Sequence, residues 1–217
     1  MCSKTVVITG GPIFPEAAKL ISSDDRIICA DSGVDYALSN NIRVDEVFGD
    51  LDSISVSGKE YIKVKDIPLN QYPCEKDMTD TELAIRSADE RSDVLLICSL
   101  QGRPDHVLTN ILLVSRLRSE GRSIICSDGR TDIIPLSGKD HINIKGIIDP
   151  GSKAISLIPV TDKVEGVTTE GLYYPLDNAS IERGSSYTNS NEISDNSGSF
   201  SVCVEKGELL VVITDKD

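Results

Sequence analysis

The sequence changes its pattern about two-thirds of the way along, and this change constrains the fold more than any other feature. Up to about Leu136, short apolar runs alternate with helical patterns. Beyond it, strand-like segments follow one another with turns between them and with no convincing amphipathic helix. Alternating strands and helices predict a mostly parallel sheet with helices on both sides, whereas consecutive short strands predict a sandwich or barrel.

The individual segments follow from their apolar spacing and their boundary residues. The run at 93–99 is nearly continuous, as in strands that are buried on both faces. Thr79 and Glu82 have the capping-box spacing of a helix start, and Pro104 and Gly121 bracket a further helix. Predicted strands cover 5–9, 26–30, 46–48, 93–99 and 122–126 in the first part, and 141–145, 153–158, 163–167, 201–204 and 208–214 in the second. Further helices are predicted at 15–22 and 34–39.

The expected fold is therefore α/β, with a second, all-β domain. We predict a Rossmann-like N-terminal domain over residues 1–136, with a mostly parallel sheet and flanking helices. A β-sandwich should occupy residues 137–217. A chain of 217 residues is long enough to bury a core.

Composition limits the partners and the location. The net charge of −13 argues against a nucleic-acid partner and favours a cationic substrate. No apolar run approaches the roughly 20 residues that span a bilayer, and the N-terminus lacks a signal-peptide pattern. We therefore expect a cytoplasmic protein without a membrane partner. Cys29, Cys98 and Cys126 lie inside apolar runs and are predicted to be buried in a reducing compartment.

Three acidic clusters carry the chemistry, at 49–53, 76–80 and 102–106. Each lies where an apolar run ends or a helix begins. Carboxylates that converge need a positive charge among them, and Mg²⁺ is the hard cation that prefers oxygen ligands and bridges to phosphates. The aspartates predicted to converge are Asp50, Asp52, Asp77, Asp80 and Asp105. Phosphoryl-type transfer is the leading hypothesis.

Local chemistry supports this hypothesis, although each motif alone also has a structural explanation. Asp50 and Asp52 flank Leu51, and in an extended chain residues two apart point the same way. Lys76 can hold a phosphate as a point charge, and Arg103 can bind one in a bidentate manner. A surface turn or a helix cap would explain the individual aspartates equally well.

The ordered set of motifs resembles the bacterial-type thiamine pyrophosphokinase family over essentially the whole chain. The motifs are Ala30 to Gly33, Gly49 to Ser53, Lys76 to Asp80, Gly102 to His106, Gly166 to Gly171 with Leu172 and Tyr174, and Ser190 to Glu192. This resemblance implies an α/β nucleotide domain, a thiamine-binding β-sandwich, and a homodimer with active sites between subunits. It also implies transfer of the pyrophosphoryl group of ATP to thiamine, which yields AMP and thiamine diphosphate.

The motifs assign site residues by similarity. The catalytic set is Asp50, Asp52, Asp77, Asp80, Arg103 and Asp105, of which Asp50, Asp52 and Asp77 are metal candidates for Mg²⁺. The predicted nucleotide-binding residues are Asp31, Ser32, Gly33, Lys76, Thr79, Gly102, Arg103 and His106. Ser190 and Asn191 are expected to contact thiamine from the partner subunit.

Two alternatives stay open at this point. One is another Mg²⁺-dependent phosphatase or nucleotidyl transferase that uses the Asp-Leu-Asp motif, and the other is a thiamine or nucleotide sensor without turnover. Some family members stack a tryptophan on thiamine, but this chain contains no tryptophan. Tyr173, Tyr174 and Tyr187 are the aromatic residues that could stack on thiamine in place of a tryptophan.

Overall fold

The computed structural model describes residues 3–71, 77–147, 149–194 and 197–216. The chain forms two compact units. The first unit comprises residues 1–113 and 122–130, and the second comprises 114–121 and 131–217. Each unit has its own hydrophobic cluster.

The first unit contains six parallel strands in the order β4-β3-β2-β1-β5-β6. All residues of the two central strands, β1 and β5, are buried, as expected for continuous apolar runs in a parallel sheet. The strands are β1 Thr5–Ile8, β2 Arg26–Ala30, β3 Glu46–Phe48, β4 Leu69–Asn70, β5 Val94–Ile97 and β6 Ile124–Ser127. This order reverses direction between β1 and β5, as in doubly wound α/β folds.

Helices follow several of these strands. A single 3-10 segment, Pro15–Leu20, follows β1. The α-helices are α1 Gly33–Ser39, α2 Val56–Val64, α3 Asp80–Arg86 and α4 Pro104–Ser119. Thr79 caps α3 by accepting a hydrogen bond from the backbone N–H of Glu82 at 3.2 Å, which confirms the predicted helix start.

The second unit is a two-sheet β-sandwich. One sheet has the order β7-β13-β9 and the other β11-β10-β12-β8, with antiparallel pairing in both. The strands are β7 Asp132–Ser137, β8 Asp140–Ile144, β9 Lys153–Pro159, β10 Lys163–Glu170, β11 Ala179–Glu182, β12 Phe200–Val204 and β13 Glu208–Asp215. One cluster joins buried side chains from both sheets, including Leu157, Val202 and Val211.

The fold class predicted from the sequence is confirmed, and the differences concern short elements. Residues 15–22 were expected to form a regular helix but form the 3-10 segment, since only six residues are available before the chain becomes extended at Ile21. Helix α2 was not predicted because Val56 and Val64 are exposed and break its apolar pattern. Strand β7 continues to Ser137 and so crosses the predicted domain boundary after Leu136. The division into domains at that position stays a prediction.

Burial agrees with the cysteine prediction, because Cys29, Cys98 and Cys126 are each fully buried. Burial raises the pKa of the Cys29 thiol well above its usual range. In the ranges that the structure describes, none of the helices has the length and apolar character required to cross a bilayer.

Candidate active site

A large open pocket of the first unit lies where the strand order reverses. Its volume is about 910 Å³, which is sufficient for a nucleotide. Thr9 to Pro12 follow β1 and line it from one side, and Ser99 and Gln101 follow β5 and line it from the other. In open parallel sheets this position, beyond the carboxyl ends of the strands, is the usual ligand site.

Two glycines let the backbone after β1 approach its neighbours closely. A Cβ atom at Gly10 would lie 2.0 Å from Ser32 Oγ, so a larger residue would displace the Ser32 side chain. Gly11 has φ of +106°, and a Cβ there would lie 2.9 Å from Ser99 Cβ. Ser99 Oγ in turn donates to the Gln101 carbonyl at 2.7 Å and accepts from the Gln101 N–H at 3.1 Å. The two loops at the strand reversal are therefore tightly packed.

The segment after β2 contributes Asp31 and Ser32 to the pocket. Asp31 has φ of +50° and donates its N–H to the Phe48 carbonyl at 2.9 Å. Gly33 is buried and is not among the pocket residues. A Cβ at Gly33 would lie 2.1 Å from the Ile8 carbonyl oxygen, so this glycine permits α1 to pack closely on β1.

Asp50 and Asp52 lie on the loop between β3 and α2, and they approach each other for a different reason than expected. The loop is not extended, because Leu51 has φ of +71°. Asp50 Oδ1 accepts the N–H of Asp52 at 3.1 Å, as in an Asx turn. Leu51 packs against the core, and Ser53 lines the pocket.

The two carboxylates influence each other's ionisation. A hydrogen bond with Asp50 and its negative charge raise the pKa of the Asp52 carboxyl above its usual value. Asp52 is exposed and Asp50 is partly buried. Paired oxygen donors with repelling charges fit a hard divalent cation, which would relieve the repulsion. In the described ranges, however, no group of three or more His, Cys, Asp and Glu side chains is arranged to hold a metal ion.

The start of α3 supplies Asp77, Thr79 and Asp80 to the pocket. The Thr79 hydroxyl oxygen accepts the helix-capping hydrogen bond, and its O–H can still donate to a ligand. Lys76, predicted to hold a phosphate, lies outside the described residues. The three residues therefore bring two carboxylates and a hydroxyl to the pocket wall.

Arg103 and Asp105 form a bidentate ion pair at the start of α4. Arg103 Nη2 donates to Asp105 Oδ2 at 2.6 Å and Arg103 Nε to Asp105 Oδ1 at 3.2 Å. This pair raises the pKa of Arg103 and lowers that of Asp105. Both side chains line the pocket and are largely exposed, as is His106, one turn before Asn110. The Arg103 guanidinium thus already binds the Asp105 carboxylate in a bidentate manner, and a phosphate could replace that carboxylate.

The two predicted thiamine residues differ in their surroundings within the second unit. Ser190 is exposed with φ of +57°, and its N–H donates to Ser156 Oγ at 3.0 Å. Asn191 is 9% exposed, and its side chain binds the neighbouring backbone. Asn191 Nδ2 donates to the Tyr174 carbonyl at 2.8 Å, while Oδ1 accepts from the N–H groups of Tyr174 and Glu192 at 3.1 and 2.8 Å.

Tyr173 and Tyr174, next to Asn191, form an exposed aromatic pair. Their ring centroids are 4.9 Å apart in an edge-to-face arrangement, and they are 63% and 66% exposed. The Tyr173 N–H donates to the Glu192 carbonyl at 2.8 Å. Tyr187 is also exposed.

Comparisons with known proteins match both parts of the chain. Residues 17–126 match the family described as "Thiamin pyrophosphokinase, catalytic domain". Residues 141–206 match "Thiamin pyrophosphokinase, vitamin B1 binding domain". Thiamine pyrophosphokinase of Bacillus subtilis (strain 168) is 31% identical over 214 residues, which cover 96% of this chain and 98% of that protein. This chain belongs to the thiamine pyrophosphokinase family.

Solved structures of the thiamine pyrophosphokinase family share the fold over nearly the whole chain. The crystal structure from Bacillus subtilis has a TM-score of 0.84 at 27% identity and covers 99% of this chain and 100% of its own. That from Geobacillus thermodenitrificans has a TM-score of 0.83 at 26% identity and covers 98% of each chain. The family predicted from the ordered motifs is thereby confirmed.

Several pocket residues of this thiamine pyrophosphokinase family member were not among the site residues predicted from the sequence. Thr9, Ser53, Ser99 and Thr109 line the pocket without belonging to any assigned set. Thr9 and Ser99 could have been found, because each is the last residue of a predicted strand, at the end where ligands bind in parallel sheets. Thr109 carried no comparable signal.

Proposed function

We propose that this protein transfers the pyrophosphoryl group of ATP to the primary hydroxyl of thiamine, releasing AMP and thiamine diphosphate. The observation that carries the proposal is the pocket at the strand reversal, which combines Arg103 with Asp77 and Asp80. The guanidinium of Arg103 can bind phosphate, and it lines the same pocket as several carboxylates. This combination suits phosphoryl-type transfer, which depends mainly on positioning and charge stabilisation. The family relationship supplies the two substrates.

On the nucleotide side, Arg103 exchanges Asp105 for phosphate oxygens when ATP enters. The hydroxyls of Ser32 and Thr79 are further donors, and Gly102, with φ of +88°, turns the chain toward Arg103. Asp31 and His106 complete the proposed nucleotide set, with Lys76 and Gly33 as the remaining predicted members. Gly33 would act through packing, because a side chain at this position would clash with the Ile8 carbonyl oxygen.

Asp50, Asp52 and Asp77 would hold a Mg²⁺ ion. When bound, the ion would neutralise negative charge on the phosphate chain of ATP. The proximity of Asp50 and Asp52, which raises the pKa of the Asp52 carboxyl, supports this assignment, since a cation bound there would favour the ionised form of both carboxylates.

The transfer requires one bond to form and one to break. The thiamine hydroxyl oxygen bonds to the β-phosphorus, and the bond from that phosphorus to the oxygen bridging to the α-phosphorus breaks. The hydroxyl proton passes to a carboxylate of the pocket, and AMP leaves with the bridging oxygen. Asp80 and Asp105 are placed to orient these groups, since both line the pocket.

On the thiamine side, the positive thiazolium suits a chain with net charge −13. Ser190 is the exposed member of the predicted pair and is the proposed direct contact, whereas Asn191 acts through the backbone it binds. We extend the proposal to a homodimer in which these residues serve the partner's active site. Use of ATP and a set of buried cysteines support a cytoplasmic location.

One coupled assay tests the whole proposal. Purified protein is supplied with ATP, Mg²⁺ and thiamine, and AMP and thiamine diphosphate are quantified by chromatography. Equal amounts of both products, dependent on thiamine, are expected. Phosphate release without thiamine would favour the phosphatase alternative, and thiamine or nucleotide binding without either product would favour the sensor.

A further inference from the structure

The loop that carries Asp50 and Asp52 is held at both of its ends. At the first end, the Gly49 N–H donates to the Asn70 carbonyl at 3.2 Å. Gly49 has φ of +138°, and a Cβ there would lie 2.3 Å from Asp31 Oδ1. The start of the loop is therefore hydrogen-bonded to β4 and lies close to the Asp31 side chain.

At the second end, the carboxylate of Asp35 holds Ser55. Asp35 lies in the first turn of α1, and Ser55 is the N-cap of α2. Asp35 Oδ2 accepts the Ser55 N–H at 3.0 Å, and Asp35 Oδ1 accepts the Ser55 hydroxyl at 2.5 Å. Ser55 Oγ also accepts the Gly58 N–H at 3.0 Å, so one hydroxyl links the helix cap to Asp35.

Packing around Gly58 independently shows how closely this contact is built. A Cβ at Gly58 would lie 2.5 Å from Asp35 Oδ1 and 2.7 Å from Ile54 Cγ2. Gly58 is buried within α2, and Ile54 is 4% exposed. Any larger residue at position 58 would displace either the carboxylate or the core side chain that closes the loop.

We propose that Asp35 is a positioning residue that holds the Asp50–Asp52 loop ready for the metal by binding Ser55. This inference rests on the proposed function, because it takes the loop to be metal-binding. Only two residues separate Asp52 from Ser55, so an anchor at Ser55 restricts Asp52 directly. Without that anchor, the end of the loop would lose its connection to α1.

Asp35→Ala is the main test variant, and the wild-type protein is the reference. The half-saturating Mg²⁺ concentration in the AMP assay should rise by about tenfold, because two hydrogen bonds to a charged group are lost. At saturating Mg²⁺, kcat should recover to within about threefold of the wild type, since ion binding can restore the loop geometry. Asp35→Asn, which keeps an oxygen for the Ser55 N–H, should rescue most of the effect.

A second readout needs neither metal nor turnover. Hydrogen exchange of the Asp52 and Ile54 amides, measured on protein treated with a chelator, should be faster in Asp35→Ala than in the wild type. Both amides lie inside the loop and neither donates to Asp35, so a change there reports loop mobility rather than the lost bond.

Asp45→Ala is the matched control. Asp45 also accepts a backbone N–H, that of Ile27 at 2.8 Å, but it lies at the other end of β3. Its loss should lower the unfolding midpoint without changing the Mg²⁺ requirement. If Asp35→Ala does not fold, Ser55→Ala removes the hydroxyl link and should raise the Mg²⁺ requirement by about two- to fivefold.

The outcomes separate this inference from the proposed function. A normal Mg²⁺ response and unchanged loop exchange in a folded Asp35 or Ser55 variant would overturn the positioning role while leaving the enzyme assignment intact. A wild-type protein that makes no AMP would overturn the function, and the exchange measurement would still decide whether Asp35 holds the loop.

Discussion

Loop 49–55 of the first unit and segment 186–194 of the second are both irregular, and in both a carboxylate or amide side chain binds the backbone. In the first unit the anchoring residue is Asp35, which lies in another element and holds Ser55. In the second unit the anchor is Asn191, a member of the recognised motif, which holds the Tyr174 peptide. Asn191, a motif residue, therefore binds backbone. Asp35, which lies outside every motif, holds the loop that carries Asp50 and Asp52.

The two regions also differ in what their anchors present to solvent. Near Asp35 the loop presents the carboxylates of Asp50 and Asp52, whose proximity raises the pKa of the Asp52 carboxyl. Around Asn191 the backbone presents the Tyr173 and Tyr174 rings, which need no counter-charge. Substitutions should therefore affect metal-dependent turnover in the first region, and stability and thiamine affinity in the second.

The largest effect is expected for Asp52→Asn. Loss of a metal carboxylate should lower AMP production by about 10³-fold, with thiamine binding largely kept. Product chromatography and calorimetric titration with thiamine measure the two properties. Asp66→Asn, at an exposed aspartate of the same unit, should behave as the wild type. Unchanged turnover in Asp52→Asn would refute the metal assignment.

Arg103→Ala should have the next largest effect. Removing a bidentate phosphate contact should lower kcat/KM for ATP by about 100-fold, mainly through KM. Initial rates over a range of ATP concentrations measure this, with Arg116→Ala as the control, since Arg116 is an exposed arginine of α4 that is not among the pocket residues. An unaffected KM for ATP would show that Arg103 serves only its ion pair with Asp105.

Asn191→Ala should lower the free energy of unfolding by about 3 kcal/mol, because three hydrogen bonds to buried or partly buried backbone are lost. KM for thiamine should rise by about tenfold as the tyrosine segment loosens. Urea unfolding and steady-state kinetics test both effects.

Thr188→Val is the control for that variant. It removes the hydroxyl that donates to the Leu157 carbonyl at 2.7 Å but leaves the Tyr174 peptide bound. It should lower stability without changing KM for thiamine. Equal KM changes in the two variants would mean that general loosening of the second unit, and not the Asn191 contact, governs thiamine affinity.

The smallest effect concerns pH. The pKa of Asp52 is raised above 3.8, so the folded state holds its proton more tightly than the unfolded state. In chelator-treated protein, this contribution to stability is complete below 3.8 and is lost as pH rises through the raised pKa. Asp52→Asn should therefore lose less stability than the wild type as the pH rises from 3.8 through the raised pKa of Asp52. Unfolding midpoints that run parallel across this range would contradict the repulsion between Asp50 and Asp52.

Much of the fold was accessible from the sequence, because apolar periodicity reports burial directly. The continuous run at 93–99 became the buried central strand β5, and the capping box at Thr79 and Glu82 opened α3. The site was accessible only in part. Asp31, Asp77 and Arg103 line one pocket as their positions after strands or before helices indicated, whereas Asp50 and Asp52 are not among its lining residues.

By itself the sequence determined the two types of architecture, the family and the identity of the polar residues at strand ends, since these depend on local spacing and on ordered motifs. Only the tertiary structure decided which of those ends meet, because the adjacency of β1 and β5 follows from the strand order. It also decided that Leu51 has a positive φ, that Asp35 accepts a hydrogen bond from Ser55 and that the Asn191 side chain hydrogen-bonds to the Tyr174 backbone. Each of these depends on partners that are distant in the chain or on a backbone conformation that no side-chain pattern records.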